Sequence, residues 1–136
     1  MDRKIISILL ADEHPLYREA LAMALSQSPS FLVIGQCGNG PDAEQLYDDL
    51  RPDILVIDIT MQTTKGFLTT SRILMSHPDA RIIWMSTFFK EAYVSRIPGS
   101  GALGYITKSM SHLEMLEAIR KVYEGEVYIC QKPGRE

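Results

Sequence analysis

No run in the chain approaches the ~18 consecutive apolar residues of a membrane-spanning helix. Cysteine is scarce. Cys37 and Cys130 are too few for a disulfide framework and fit a reducing compartment. A basic excess is also missing: Lys and Arg number 14 against 17 Asp and Glu, for a formal net charge of −3. That balance argues against direct nucleic-acid binding by this chain. Met1–Lys4 followed by Ile5–Ala11 imitates a secretory signal only faintly, because Asp12-Glu13 stands where small cleavage-site residues belong. Gly35 and Gly40 have the outer spacing of a phosphate loop, but Pro41 follows rather than Lys-Ser/Thr. His14, His77 and His112 have no metal-ligand spacing, and are read as having no other ligands near them in sequence. What remains, at 136 residues, is one soluble domain, expected in the cytoplasm.

What the sequence does have is a regular alternation. Apolar runs of strand length recur at Ile5–Ala11, Phe31–Ile34, Ile54–Ile57, Arg81–Met85 and Ala102–Thr107. They do not alternate with polar residues, as expected of parallel strands covered on both faces. Helical segments separate them. Pro15 and Pro41 stand at helix starts, where a missing N–H costs nothing. Leu16, Ala20, Met23 and Ala24 mark one face of the first helix. Ser111-x-x-Glu114 forms a capping box for the last. On that last helix Leu113, Leu116, Ile119 and Tyr123 form a stripe assigned to the sheet, and Met115, Ala118 and Val122 form a second stripe left for a partner. Between the fourth and fifth strands, Pro98-Gly99 predicts a helix that ends near Ile97 and an irregular segment around it. The pattern predicts an α/β fold, a doubly wound, five-stranded parallel sheet with five helices, and the flavodoxin-like arrangement of that class has the strand order 2-1-3-4-5. Residues 1–128 form the domain, and 129–136 a tail or the start of a linker.

In such folds, sites collect beyond the carboxyl ends of the strands. The first strand ends in Asp12-Glu13, the third in Asp58, the fourth in Ser86-Thr87 and the fifth in Lys108. Taken singly, Asp12-Glu13 reads equally well as a helix cap, and Asp58 as a turn residue. Together they place three carboxylates, a hydroxyl and an amine on one edge. Three converging acids repel one another unless one is protonated or a cation is bound. A hard, oxygen-liganded ion of this kind points to Mg²⁺.

These residues resemble the receiver domain of two-component response regulators. The acidic pair is Asp12-Glu13. The phosphoacceptor motif appears as Asp58-Ile59-Thr60-Met61-Gln62, with Gly66 eight residues after the aspartate. The hydroxyl position is Ser86, the switch aromatic Tyr105 and the lysine Lys108. Asp12-Glu13-His14-Pro15-Leu16-Tyr17-Arg18 and Leu116-Glu117-Ala118-Ile119 resemble the LuxR/NarL-type subfamily. The resemblance implies that Asp58 accepts a phosphoryl group from a sensor histidine kinase. It implies Mg²⁺ held by Glu13, Asp58 and the Thr60 carbonyl, with Asp12 acting through water. Lys108 would supply a fixed positive charge, and Ser86 a hydrogen bond that draws Tyr105 inward. It also implies transcriptional output through a C-terminal helix-turn-helix, absent from this chain, and homodimerisation through the first and last helices.

The sequence departs from the family pattern at several points. Gln62 replaces a proline, Glu13 is one methylene longer than aspartate, and Ser86 stands for threonine. Thr87 sits where a small residue is preferred, and Pro98 shortens the fourth helix. Rival readings fit less well. A haloacid-dehalogenase-type phosphatase needs a second aspartate where Thr60 stands, and a nucleophile after the first strand rather than the third. An FMN carrier needs a Ser/Thr/Gly-rich loop in place of Asp12-Glu13. A receiver that acts by protein contact alone, without phosphorylation, is a further alternative.

Overall fold

A computed structural model describes residues 4–62 and 65–132. Its elements alternate strictly: β1 Ile6–Ala11, α1 Pro15–Leu25, β2 Phe31–Cys37, α2 Gly40–Leu50, β3 Ile54–Asp58, α3 Gly66–Ser76, β4 Ile82–Ser86, α4 Glu91–Ser100, β5 Gly104–Thr107, α5 His112–Tyr123 and β6 Tyr128–Ile129. The sheet order is β2-β1-β3-β4-β5-β6, with every pairing parallel. Successive apolar side chains on each strand enter opposite layers, which is why the strands read as unbroken apolar runs. Ile8, Leu10, Val56, Ile83 and Met85 pack under α1 and α5, while Leu9, Leu55, Ile57 and Trp84 pack under α2, α3 and α4. Each fully buried large side chain contributes roughly 1.5–3 kcal/mol relative to exposure. Trp84 keeps its indole N–H satisfied in this core: Nε1 donates to Thr70 Oγ1 at 2.9 Å, and that hydroxyl donates to the Gly66 carbonyl at 2.8 Å.

The structure departs from the sequence expectations in four places. A sixth strand exists, so the ordered fold runs past residue 128. Ile129 pairs with Tyr105, the Cys130 amide donates to the Tyr105 carbonyl at 2.9 Å, and the Cys130 side chain is buried. The expected tail beyond residue 132 lies outside the described residues. Second, α4 does not stop at Ile97. Pro98 removes a single N–H near the helix end, buried Ile97 anchors the turn, and Gly101 terminates it in the left-handed region at φ 87°.

The other two departures concern helix faces. On α1, Leu21, Ala22 and Leu25 are buried, whereas Leu16 and Met23 are 85% and 68% exposed. On α5 the stripe left for a partner is buried as well. Met115, Ala118 and Val122 face the core with Ile119, Leu116 and Tyr123 are half-buried against it, and Leu113 alone of the stripe assigned to the sheet is exposed. The close approach of α5 to the sheet explains this. A Cβ on Gly104 would lie 3.2 Å from Val122 Cγ2, so only the stripe carrying Ala118 and Val122 can sit this near. Met115 and Val122 therefore form no partner surface.

Register brings the site together. Ala11 lies beside Ile57, Asp58 beside Met85 and Ser86 beside Thr107. Asp12, Asp58, Ser86 and Lys108 consequently line one edge of the sheet. Gly66 lets α3 begin against this edge, since a Cβ there would lie 2.7 Å from Ile59 Cα.

Candidate phosphoryl and cation site

Asp12 and Asp58, at the ends of β1 and β3, are both buried, at 1% and 0% exposure. Their polar partners divide sharply by atom. Asp58 Oδ1 accepts from the Thr60 amide at 2.7 Å and from the Thr60 hydroxyl. Asp12 Oδ1 accepts from the His14 amide at 2.9 Å and lies 3.1 Å from His14 Nδ1. The second oxygens point into the pocket. Among the described residues neither has a hydrogen-bond partner in good alignment, and both face the Lys108 ammonium, 2.7 Å from Asp12 and 2.9 Å from Asp58.

Lys108 is thus the counter-ion of two buried carboxylates. Burial lowers its pKa, but the ion pairs with Asp12 and Asp58 outweigh burial and hold it above the ordinary lysine value. The ammonium also sits 4.5 Å above the Tyr17 ring. Burial, followed by the charges of Asp12 and Asp58, pushes the Tyr17 hydroxyl up to about 12.

Glu13 stands apart from this pair. Its Oε1 accepts from the Gln62 amide at 3.0 Å. Two departures from the motif meet in this one bond, because a proline at position 62 would have no N–H to donate.

Ser86 and Tyr105 form a second polar unit. Ser86 Oγ lies 2.7 Å from the Tyr105 hydroxyl and donates to the Phe88 carbonyl at 2.8 Å. The Tyr105 hydroxyl accepts from the Lys90 amide at 3.1 Å. Tyr105 is fully buried between Phe89 and Tyr93, so it is already turned inward. Phe88, whose carbonyl closes this unit, exposes 74% of its own surface.

All the residues singled out in the sequence, Asp12, Glu13, Asp58, Thr60, Ser86, Tyr105 and Lys108, lie at the carboxyl edge. Sequence reasoning missed His14 and Tyr17. The expectation that no ligands stand near His14 is corrected: it follows the acidic pair directly, and its ring nitrogen lies within 4.8 Å of carboxylate oxygens of Asp12 and Asp58. A groove of about 660 Å³ runs between α2 and α3 and includes none of the site residues.

The arrangement can accept a negatively charged, oxygen-rich group against Lys108, and its two buried carboxylate oxygens, which share one ammonium, are the donors a hard divalent cation needs. Comparison with known proteins agrees. The family model "Response regulator receiver domain" matches residues 8–120. This chain belongs to that family, the receiver domains of two-component response regulators. It is 32% identical over 127 residues to the transcriptional regulatory protein DegU of Brevibacillus brevis, covering 93% of this chain and 54% of that protein. Among solved structures it resembles a LuxR-family two-component response regulator from Aurantimonas (TM-score 0.87, 29% identity, 92% of this chain and 89% of that one). It also resembles the receiver domain of the putative response regulator NarL from Mycobacterium tuberculosis (TM-score 0.83, 27% identity, 90% of this chain and 99% of that one). The chain spans a little over half the length of the curated relatives it matches. Response regulators receive phosphate from sensor kinases, and receiver domains generally bind Mg²⁺ at acidic residues. No helix among the described residues is long and apolar enough to cross a membrane.

Proposed function

We propose that Asp58 is the phosphoacceptor and that Oδ2 is its attacking atom. One observation carries this reading. Thr60 occupies Oδ1 with two hydrogen bonds, while Oδ2 is buried and, among the described residues, its polar partner is the Lys108 ammonium. Asp58 Oδ2 attacks the phosphorus of a phosphohistidine on a sensor kinase. A P–O bond forms as the P–N bond breaks, and the electron pair leaves on the imidazole nitrogen. Lys108 then shifts its charge from the carboxylates to the incoming phosphoryl oxygens. Asp12, Asp58, the Thr60 carbonyl and Glu13, once released from Gln62, would hold Mg²⁺. When bound, that ion neutralises phosphoryl charge. The chain would catalyse only its own phosphoryl transfer and loss. The test is intact mass after acetyl phosphate with Mg²⁺. An adduct that persists in Asp58→Asn would defeat the assignment.

For the response, Ser86 Oγ turns from Phe88 to the phosphoryl group. Tyr105 needs no inward swing, and release of the Phe88 carbonyl frees the β4–α4 loop that carries exposed Phe88. In the cytoplasm this change would control transcription through a segment following the domain. The same reading pairs the chain with a second copy through α1 and α5. The surface is the exposed stripe Leu16, Met23 and Leu113, with half-buried Leu116 beside it, because β6 already covers the edge of β5. Light scattering with beryllofluoride checks this: Leu16→Glu with Leu113→Glu should abolish a dimer that the wild type forms, and a monomeric wild type would defeat it.

A further inference from the structure

We propose that this pocket is a mixed nitrogen–oxygen site, in which His14 joins Asp12 and Asp58 to hold a divalent cation of the zinc class. The inference rests on reading the pocket as a cation site but changes its donor set. Asp12, His14 and Asp58 each offer one ligand atom, all within 4.8 Å of one another. Glu13, the third acid of the motif, is not in this group, because its carboxylate is engaged by the Gln62 amide. Lys108 now stands among these donors: its Nζ lies 2.7 Å from Asp12 Oδ2, 2.9 Å from Asp58 Oδ2 and 3.5 Å from His14 Nδ1, so a cation would displace the ammonium. The two buried carboxylates share that single positive charge, so a divalent cation would supply the charge they lack.

The His14 ring is set in place by its own backbone, since its amide donates to the same Asp12 oxygen that Nδ1 approaches. Ligation through Nδ1 requires the ring proton on Nε2, which a ring 60% exposed can present to water. The imidazole stays neutral, and Asp12 Oδ1 keeps the amide bond. Imidazole favours zinc, nickel and copper over magnesium, whereas an all-oxygen set favours magnesium. The two ions would therefore use the same two aspartates with different third donors, Glu13 for Mg²⁺ and His14 for the zinc class. Zinc-class ions would then compete with Mg²⁺ and suppress phosphoryl acceptance.

The test is calorimetric titration of the chain with Zn²⁺ alone and Mg²⁺ alone, for wild type, His14→Asn and Asp58→Asn. Nitrogen-resolved imidazole NMR accompanies it. His14→Asn should weaken Zn²⁺ by about tenfold or more and leave Mg²⁺ within about twofold. Asp58→Asn should weaken both ions. Zn²⁺ should shift the Nδ1 resonance of His14 but not the rings of His77 and His112. The site is overturned by unchanged Zn²⁺ affinity in His14→Asn, by equal weakening of both ions there, or by shifts confined to the other two histidines. Absence of Mg²⁺-dependent phosphorylation with the Zn²⁺ result intact would overturn the phosphoacceptor reading and leave the nitrogen–oxygen site standing.

Discussion

The two ends of the sheet treat their carboxylates, half-buried at one end and fully buried at the other, in opposite ways. At the amino end, Asp53 precedes β3 and is tied to β1. Its Oδ2 accepts from the Ser7 amide at 2.9 Å and the Ser7 hydroxyl at 3.1 Å, while the Asp53 amide donates back to Ser7 Oγ at 2.8 Å. Neutral donors satisfy this charge, and the result is a staple between strands. At the carboxyl end, Asp12 and Asp58 each keep one buried oxygen whose neighbour is a single shared ammonium. Two negative charges around one positive charge, away from water, make an arrangement that gains by acquiring a cation. The first end spends its hydrogen bonds on stability. The second holds two charges on one ammonium and is the end where the proposed chemistry falls.

Removing Lys108 should have the largest effect on this contrast. Lys108→Ala leaves both carboxylates without a counter-ion and should cost about 3–5 kcal/mol in chelator, with much of the loss recovered in millimolar Mg²⁺. Denaturant melts with and without Mg²⁺ measure this, and equal stability in both conditions would break the contrast. Asp53→Ala should cost about 1–3 kcal/mol by leaving the Ser7 amide unpaired, and Mg²⁺ should not restore it. Asp58→Asn should be neutral or mildly stabilising in the same melts, because it removes one of the two buried charges. A loss as large as that of Asp53→Ala would mean that the carboxyl end is structural too.

The smallest effect concerns alkali. Tyr17 keeps its proton until about pH 12 in the fold, against 10.0 for the ordinary group. The folded state therefore binds the proton more tightly. The stability contributed by this group is fully present below pH 10 and is lost as pH rises toward 12. Burial also raises Tyr47, Tyr105 and Tyr128, so ultraviolet titration of Tyr17→Phe should lose one phenolate equivalent from the late part of the curve. A Tyr17 midpoint near 10 would show that the ring does not pack against the buried pair.

Strand order and the site's chemistry were legible in the sequence for one reason: strands buried on both faces read as apolar runs, and the residue after each run falls on one edge. Asp12, Asp58, Ser86 and Lys108 followed directly from that. The helix faces were not legible, because α1 and α5 each carry two apolar stripes. Which one is buried depends on how near the helix comes to the sheet, and that is set on the facing strand by Gly104. Strand β6 was missed because two paired residues leave almost no periodic signal. His14 and Tyr17 belong to the site through the β1–α1 turn, whose three-dimensional path brings them back over Lys108. The inward position of Tyr105 depends on Phe88 and Lys90 main-chain atoms, which residue identity does not reveal.

The central claim is that Asp58 Oδ2 is the group left free to react. The most direct measurement is the intact mass of the chain after incubation with acetyl phosphate, with Mg²⁺ or with excess EDTA, for wild type and Asp58→Asn. The account predicts a single phosphoryl adduct on wild type that requires Mg²⁺, maps to Asp58 and is absent from Asp58→Asn. A wild type that takes no phosphoryl group in Mg²⁺, or an adduct that forms equally well on Asp58→Asn, would contradict it.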